Sequence, residues 1–184
     1  PGVLRPAYIA RVRSLEPTPS ACMLFGKGEK IPLALNGCNL FFFDREGPAK
    51  AFSSAVDPQN GPFFVTATPD PDGGPGAGVT VISPATIIDF QEYLISSPRA
   101  RPAAYLALKA ALLGGMERRI RALCPELRDV QFIDGATPAT LAHYLGNPSG
   151  ALYGIRRPNY GFAPQALTRV SGFLTAGQGV VAPG

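Results

Sequence analysis

Phe63-Phe64-Val65-Thr66-Ala67-Thr68, Asp70-Pro71-Asp72-Gly73-Gly74-Pro75-Gly76 and Val79-Thr80-Val81-Ile82 follow one another in the middle of the chain. Two apolar, β-branched runs flank a cluster of turn residues. Proline presets φ and glycine admits positive φ, so the middle segment reverses the chain and its flanks pair as a hairpin. The connection, residues 69–78, reads as long and mobile, and as the stretch most prone to disorder. Ala21 to Phe25 and Leu40 to Phe43 add short strands, and the Leu-Phe-Phe-Phe run is too apolar to face water on either side.

From Pro102 to Leu123 the period changes. Leu106, Leu113 and Ile120 recur every seven residues, and Met116 and Leu123 fill the same stripe, as an amphipathic helix requires. Arg118, Arg119 and Arg121 load the last turn, where cations complement the helix dipole, and Pro125 follows as a stop. Gly114-Gly115 weakens the middle of this helix and marks a bend or a close crossing. A Pro125 to Asp129 turn then leads into Val130-Gln131-Phe132-Ile133, an edge or half-buried strand. Strands followed by one long helix predict an α+β fold: a mixed, mainly antiparallel sheet covered on one face by helices.

Composition bounds the function. With 46% hydrophobic and 16% charged residues among 184, the chain can fill the core of one domain. Seventeen basic against thirteen acidic residues give +4, mild and scattered, so no nucleic-acid partner is expected. Cys22, Cys38 and Cys124 show no C-x-x-C spacing and read as buried reduced thiols. With a single histidine, no metal site is expected. No stretch reaches the ~20 apolar residues of a membrane span, and no signal-peptide pattern opens the chain. The expectation is a cytoplasmic location with peripheral membrane contact, the latter through the 102–123 helix and its three arginines.

Near the end of the chain three punctuated segments occur in order: Thr137-Pro138-Ala139-Thr140, Gly150-Ala151-Leu152-Tyr153-Gly154, and Gly172-Phe173-Leu174-Thr175-Ala176-Gly177-Gln178-Gly179-Val180. The last reads as a short buried strand running into glycines, an end at which backbone can approach a bulky ligand. Together they resemble the carboxy-terminal part of the phytoene desaturase, carotenoid isomerase and retinol saturase family of FAD-dependent oxidoreductases. Leu15 to Gly26 is similar to the strand that leads into that family's substrate-binding region.

The resemblance implies the substrate-binding portion of a FAD enzyme, spanning 1–184, with a flavin-contacting segment beginning at about residue 170. The implied substrate is a carotenoid, retinoid or other isoprenoid polyene, to be desaturated, saturated or isomerised. It also assigns cofactor contacts to Gly150, Gly154, Gly172, Ala176, Gly177, Gln178 and Gly179, and a substrate pocket to Thr137, Tyr144 and Tyr153. Where many relatives carry aspartate, Gln178 offers an amide to a ribityl hydroxyl, as saturase-like members do. The G-x-G-x-x-G of a dinucleotide-binding unit is absent, since the glycines at 73, 74, 76 and 78 follow turn chemistry. The chain therefore reads as a piece of a longer polypeptide whose nucleotide-binding domain lies elsewhere. Alternatives are another enzyme of the flavin amine oxidase superfamily, or a non-catalytic lipid- or isoprenoid-binding module.

Local chemistry gives some of these residues a second reading. Thr137 before Pro138 is a helix N-cap with proline at the first helical position, and Thr140 completes the turn. His143 has no carboxylate or cysteine at a motif spacing, and no catalytic role is assigned to it. A flavin performs the hydride chemistry itself, so no conspicuous acid–base pair is required of the protein.

Overall fold

A computed structural model describes residues 4–43, 57–94, 100–156, 162–177 and 179–180. In chain order its elements are α1 (Pro6–Arg13), β1 (Ser20–Gly28), β2 (Leu40–Phe42), β3 (Phe63–Pro69), β4 (Ala77–Ala85), α2 (Ala103–Leu123), β5 (Gln131–Ala136) and α3 (Pro138–Tyr144). Short 3-10 turns lie at Leu33–Leu35, Ile88–Tyr93 and Pro125–Asp129. The chain divides into two units, Pro19–Gly150 and a smaller one made of Pro1–Thr18 with Ala151–Gly184.

In the larger unit five strands form one sheet in the order β2-β3-β4-β1-β5. Every neighbouring pair is antiparallel, so the expected mixed sheet is antiparallel throughout among the described residues. Alternation makes it one-sided. Cys22, Leu24, Phe63, Val65, Val79 and Val81 face a core completed by Tyr105, Met116 and Ile120 of α2, with Phe90 and Leu127.

The hairpin forms as the turn residues require, but its connection is tighter than expected. Both strands extend, and residues 70–76 close a compact turn. Asp70 N–H donates to Gly76 O at 3.0 Å, Gly73 N–H to Asp70 O at 3.0 Å, and Asp72 N–H to Asp70 Oδ1 at 3.0 Å. The Leu-Phe-Phe-Phe run also departs from expectation. As a three-residue edge strand it turns Leu40 and Phe42 toward the core and leaves Phe41 61% exposed on the other face. There Phe41 stacks on Phe43 and touches Phe64.

Helix α2 matches its predicted span, and Leu113, Met116 and Ile120 of the expected stripe reach the core, though the two ends of the stripe do not. Tyr105, Gly115, Met116 and Ile120 are buried, whereas Leu106 and Leu123 are exposed. Gly115 is the close crossing that the double glycine marks, because a Cβ there would overlap the Gln59 side chain. The helix-end arginines serve the fold instead of forming an open basic patch. Arg119 donates to the carbonyls of Gln59 and Gly61 and lies over Phe63. Arg121 pairs with Glu117 at 2.8 Å, donates to the carbonyls of Leu127, Arg128 and Val130, and lies over Phe132. Of the three, Arg118 is exposed.

Cys22 and Cys124 are buried free thiols, as expected, but Cys38 is exposed, its Sγ donating to Ala34 O at 3.1 Å. Among the described residues no helix is long and apolar enough to cross a membrane.

In the smaller unit Pro17 bridges Ile155, with Thr18 N–H donating to Gly154 O at 2.9 Å and Arg156 N–H to Glu16 O at 2.7 Å. Tyr8 of α1 packs edge-on against Phe162. The buried strand expected over Gly172 to Val180 does not form. Leu174 makes an isolated bridge to Leu167, and Phe173 and Leu174 are exposed. A strand needs a continuous partner to satisfy its backbone, and the described part of this segment has only that bridge.

Candidate functional site

A β-bulge shapes the edge of the larger unit. Phe25 faces Asp134 and Gly26 faces Phe132, which leaves Ile133 as the extra residue of β5. Such a bulge re-aims neighbouring side chains, and here it brings Asp134 beside α2. The chain then passes Thr137 into α3, whose start is fixed by a Thr137/Thr140 capping box with Pro138 in the first turn, as anticipated. Thr140 Oγ1 accepts the Thr137 N–H at 3.2 Å. Gly146, at φ 62°, ends the helix by donating to His143 O.

Between α2, β5 and α3 lies an open groove of about 430 Å³. Phe25, Leu106, Leu141, Tyr144 and Leu145 give it apolar walls, and Arg101, Lys109, Asp134 and Thr140 supply its polar groups. Tyr105 forms part of the lining, with its hydroxyl 2.8 Å from Thr137 Oγ1 and 3.2 Å from Thr140 Oγ1. Arg101 lies 4.9 Å over the Tyr105 ring and donates to the carbonyls of Tyr93 and Ala139. Lys109 Nζ meets Asp134 Oδ1 at 3.0 Å, and Gly135 N–H donates to the same oxygen at 2.7 Å. Partial burial works against the Asp134 charge, but the Gly135 N–H and Lys109 outweigh it and hold this carboxyl below the usual aspartate value.

The groove gathers part of the predicted set. Tyr144 lines it, 76% exposed, while Thr137 is fully buried and acts on the groove through Tyr105 and the cap. Tyr153 belongs to the smaller unit, where its N–H donates to Thr18 Oγ1 at 3.0 Å. Gly150 is glycine for an internal reason: at φ 58° its missing Cβ would stand 2.7 Å from Pro138 O. Gly154, Gly172 and Gly177 take φ of 73°, 75° and 103°. Among the described residues nothing lies within 4 Å of a Cβ built at Gly172, Gly177 or Gly179, and Ala176 is exposed. Gln178 lies outside the described residues. His143 is exposed, edge-on to Tyr144 with ring centres 5.0 Å apart, and does not line the groove.

Sequence reasoning missed Phe25, Arg101, Leu106, Lys109 and Asp134 as one constellation. Its only local sign is the Asp134-Gly135 dipeptide interrupting an alternating strand; the pairing with Lys109 is tertiary.

A groove with apolar walls and a few polar groups, Arg101, Lys109, Asp134 and Thr140, has the make-up of a site for an amphipathic molecule. Over 141 residues the chain is 27% identical to all-trans-retinol 13,14-reductase of Danio rerio. The match covers 69% of this chain and 23% of that protein, so the chain spans less than a quarter of its relative's length. No family model matches.

Proposed function

We propose that this chain is the substrate-side portion of a flavin-dependent oxidoreductase acting on a retinoid or related isoprenoid polyene. The observation that carries the reading is the 141-residue similarity to a protein named for reducing all-trans-retinol, which agrees with the three ordered motifs. That name favours saturation of a double bond over desaturation or isomerisation.

Residues 172–179 suit a flavin in one respect. Among the described residues none stands where a side chain of Gly172, Gly177 or Gly179 would be, so a bulky cofactor can approach their backbone closely. Gly172, Ala176, Gly177 and Gly179, with Gln178 and Gly154, would hold the flavin, which supplies hydride transfer when bound. Gly150 has to be glycine for its own packing, whatever else its backbone meets. The chain's other residues bind and orient. Phe25, Leu106, Leu141 and Tyr144 shield apolar surface from water, and the Tyr105–Thr137–Thr140 contacts fix α3 against α2.

A polyene is held in lipid, so loading from a membrane surface belongs to this reading. The arginines of α2 are not proposed as that contact, because Arg119 and Arg121 are engaged within the fold.

The test is to purify the protein in its natural reading frame, record its visible spectrum, and supply all-trans-retinol with a reductant under anaerobic conditions. The expected outcome is a retained flavin band and a product two hydrogens heavier by mass spectrometry. Flavin-free protein that binds the retinoid unchanged would replace the enzyme with a binding module. Protein with neither flavin nor affinity for any polyene would overturn the proposal.

A further inference from the structure

We infer that the groove between α2, β5 and α3 seats the polar end of the substrate, and that the Lys109–Asp134 pair selects an alcohol there. This rests on the polyene reading above. Both hydrogen bonds described for Asp134 fall on Oδ1, leaving Oδ2 without a partner among the described residues. Lys109 gives Asp134 one of its three donors. Their side chains are 69% and 23% exposed for Asp134 and Lys109, so both reach the groove while remaining joined. A hydroxyl can donate to Asp134 and accept from Lys109 at once. A carboxylate can only accept, and it sets its charge against Asp134. A hydrocarbon end satisfies neither group.

Arg101 also lines the groove, but both of its terminal nitrogens donate to carbonyls, of Tyr93 and Ala139, and its plane covers Tyr105. The local choice therefore falls to Asp134. The apolar walls, Phe25, Leu106, Leu141, Tyr144 and Leu145, receive the chain behind the polar end.

The experiment titrates the 184-residue protein, which has no tryptophan to interfere, with all-trans-retinol and all-trans-retinoate, following ligand fluorescence and calorimetry. Wild type is expected to bind the alcohol about three- to tenfold more tightly than the acid, the range of one partly exposed hydrogen bond. Asp134→Asn removes the acidic side chain of the groove and should reverse that order. Leu106→Glu, at a position already 54% exposed and outside the core, should abolish binding without unfolding the chain. Equal affinity for alcohol and acid, insensitivity to either substitution, or no binding to the chain would overturn the inference. The same substitutions in the protein of natural length separate the two proposals. Unchanged KM for retinol in Leu106→Glu refutes the groove while the oxidoreductase stands; protein that holds no flavin and turns over no polyene refutes the oxidoreductase.

Discussion

The Tyr105 hydroxyl meets that of Thr137 at 2.8 Å, and almost no solvent reaches either side chain. Through this contact the long helix grips the first turn of the short one, so the N-cap of α3 is held by a tertiary partner as well as by its own capping box. A buried hydroxyl that loses its partner retains the cost of its lost hydration.

Tyr105→Phe should therefore destabilise the protein by about 1–2 kcal/mol, and Thr137→Val by more, since it removes the cap as well. Urea denaturation checks this. A double-mutant cycle should return a coupling of about 1 kcal/mol, and independence of the two changes would show that the contact carries no stability.

Gly135 in β5 and Gly114 in α2 respond to a methyl group in opposite directions. A Cβ at Gly135 would stand 2.3 Å from the Met23 carbonyl oxygen and 2.6 Å from Leu113 Cδ1. Gly135→Ala is expected to cost about 1–3 kcal/mol by overpacking. Gly114, inside α2, would bring its Cβ no closer than 3.5 Å to the Arg118 tip, so Gly114→Ala should stabilise by about 0.5–1 kcal/mol. Thermal unfolding of the two variants gives shifts of opposite sign.

The thiols divide by exposure. Burial, then the charges of Asp57 and Asp89, push Cys22 up to about 12. Iodoacetamide at pH 8 should modify Cys38 and spare Cys22 and Cys124 until the protein unfolds, as mass spectrometry of digests will show. A folded value above the 9.0 of a free thiol means that the native state holds its proton longer than the unfolded chain does. The contribution to stability is thus complete below pH 9.0 and is lost as pH rises toward 12. Relative to Cys22→Ala, the wild type should lose stability more steeply across that window.

In the proposed flavoprotein, Gly177→Val should deplete bound flavin. Its φ of 103° suits glycine, and a branched side chain would fill the open side of the backbone. His143→Ala should leave flavin content and turnover nearly intact, since this exposed ring touches Tyr144 and lies off the groove. A loss beyond ~100-fold in folded, flavin-loaded His143→Ala, about 2.7 kcal/mol of barrier, would give that histidine a role in turnover.

The strands were legible because alternation and turn chemistry are local: β3, β4 and the Asp70–Gly76 turn follow from their own residues. The span of α2 was legible for the same reason, but its orientation was not. Apolar residues occur on several sides: Leu106, which opens the seven-residue repeat, lines the groove, while Ile120 of the same repeat enters the core with Tyr105 and Met116. The choice of face depends on the close approach at Gly115, which is tertiary. The capping threonines were readable, but not their contact with Tyr105, 32 residues away. Segment 172–180 misled because apolar residues next to glycine look like a strand end whether or not a partner strand runs beside them.

The strand order has a consequence for the chain as it is made. β1 emerges first yet lies inside the sheet, paired on one side by β4 and on the other by β5. Met23 meets Ile82 early, but Ala136 must wait until α2 has been synthesised. At ~5–20 residues per second that interval is about 3–11 seconds. Throughout it the nascent sheet carries an open inner edge, so a ribosome-bound chain halted before Gln131 would present β1 to any passing strand, and one released after Ala136 would not.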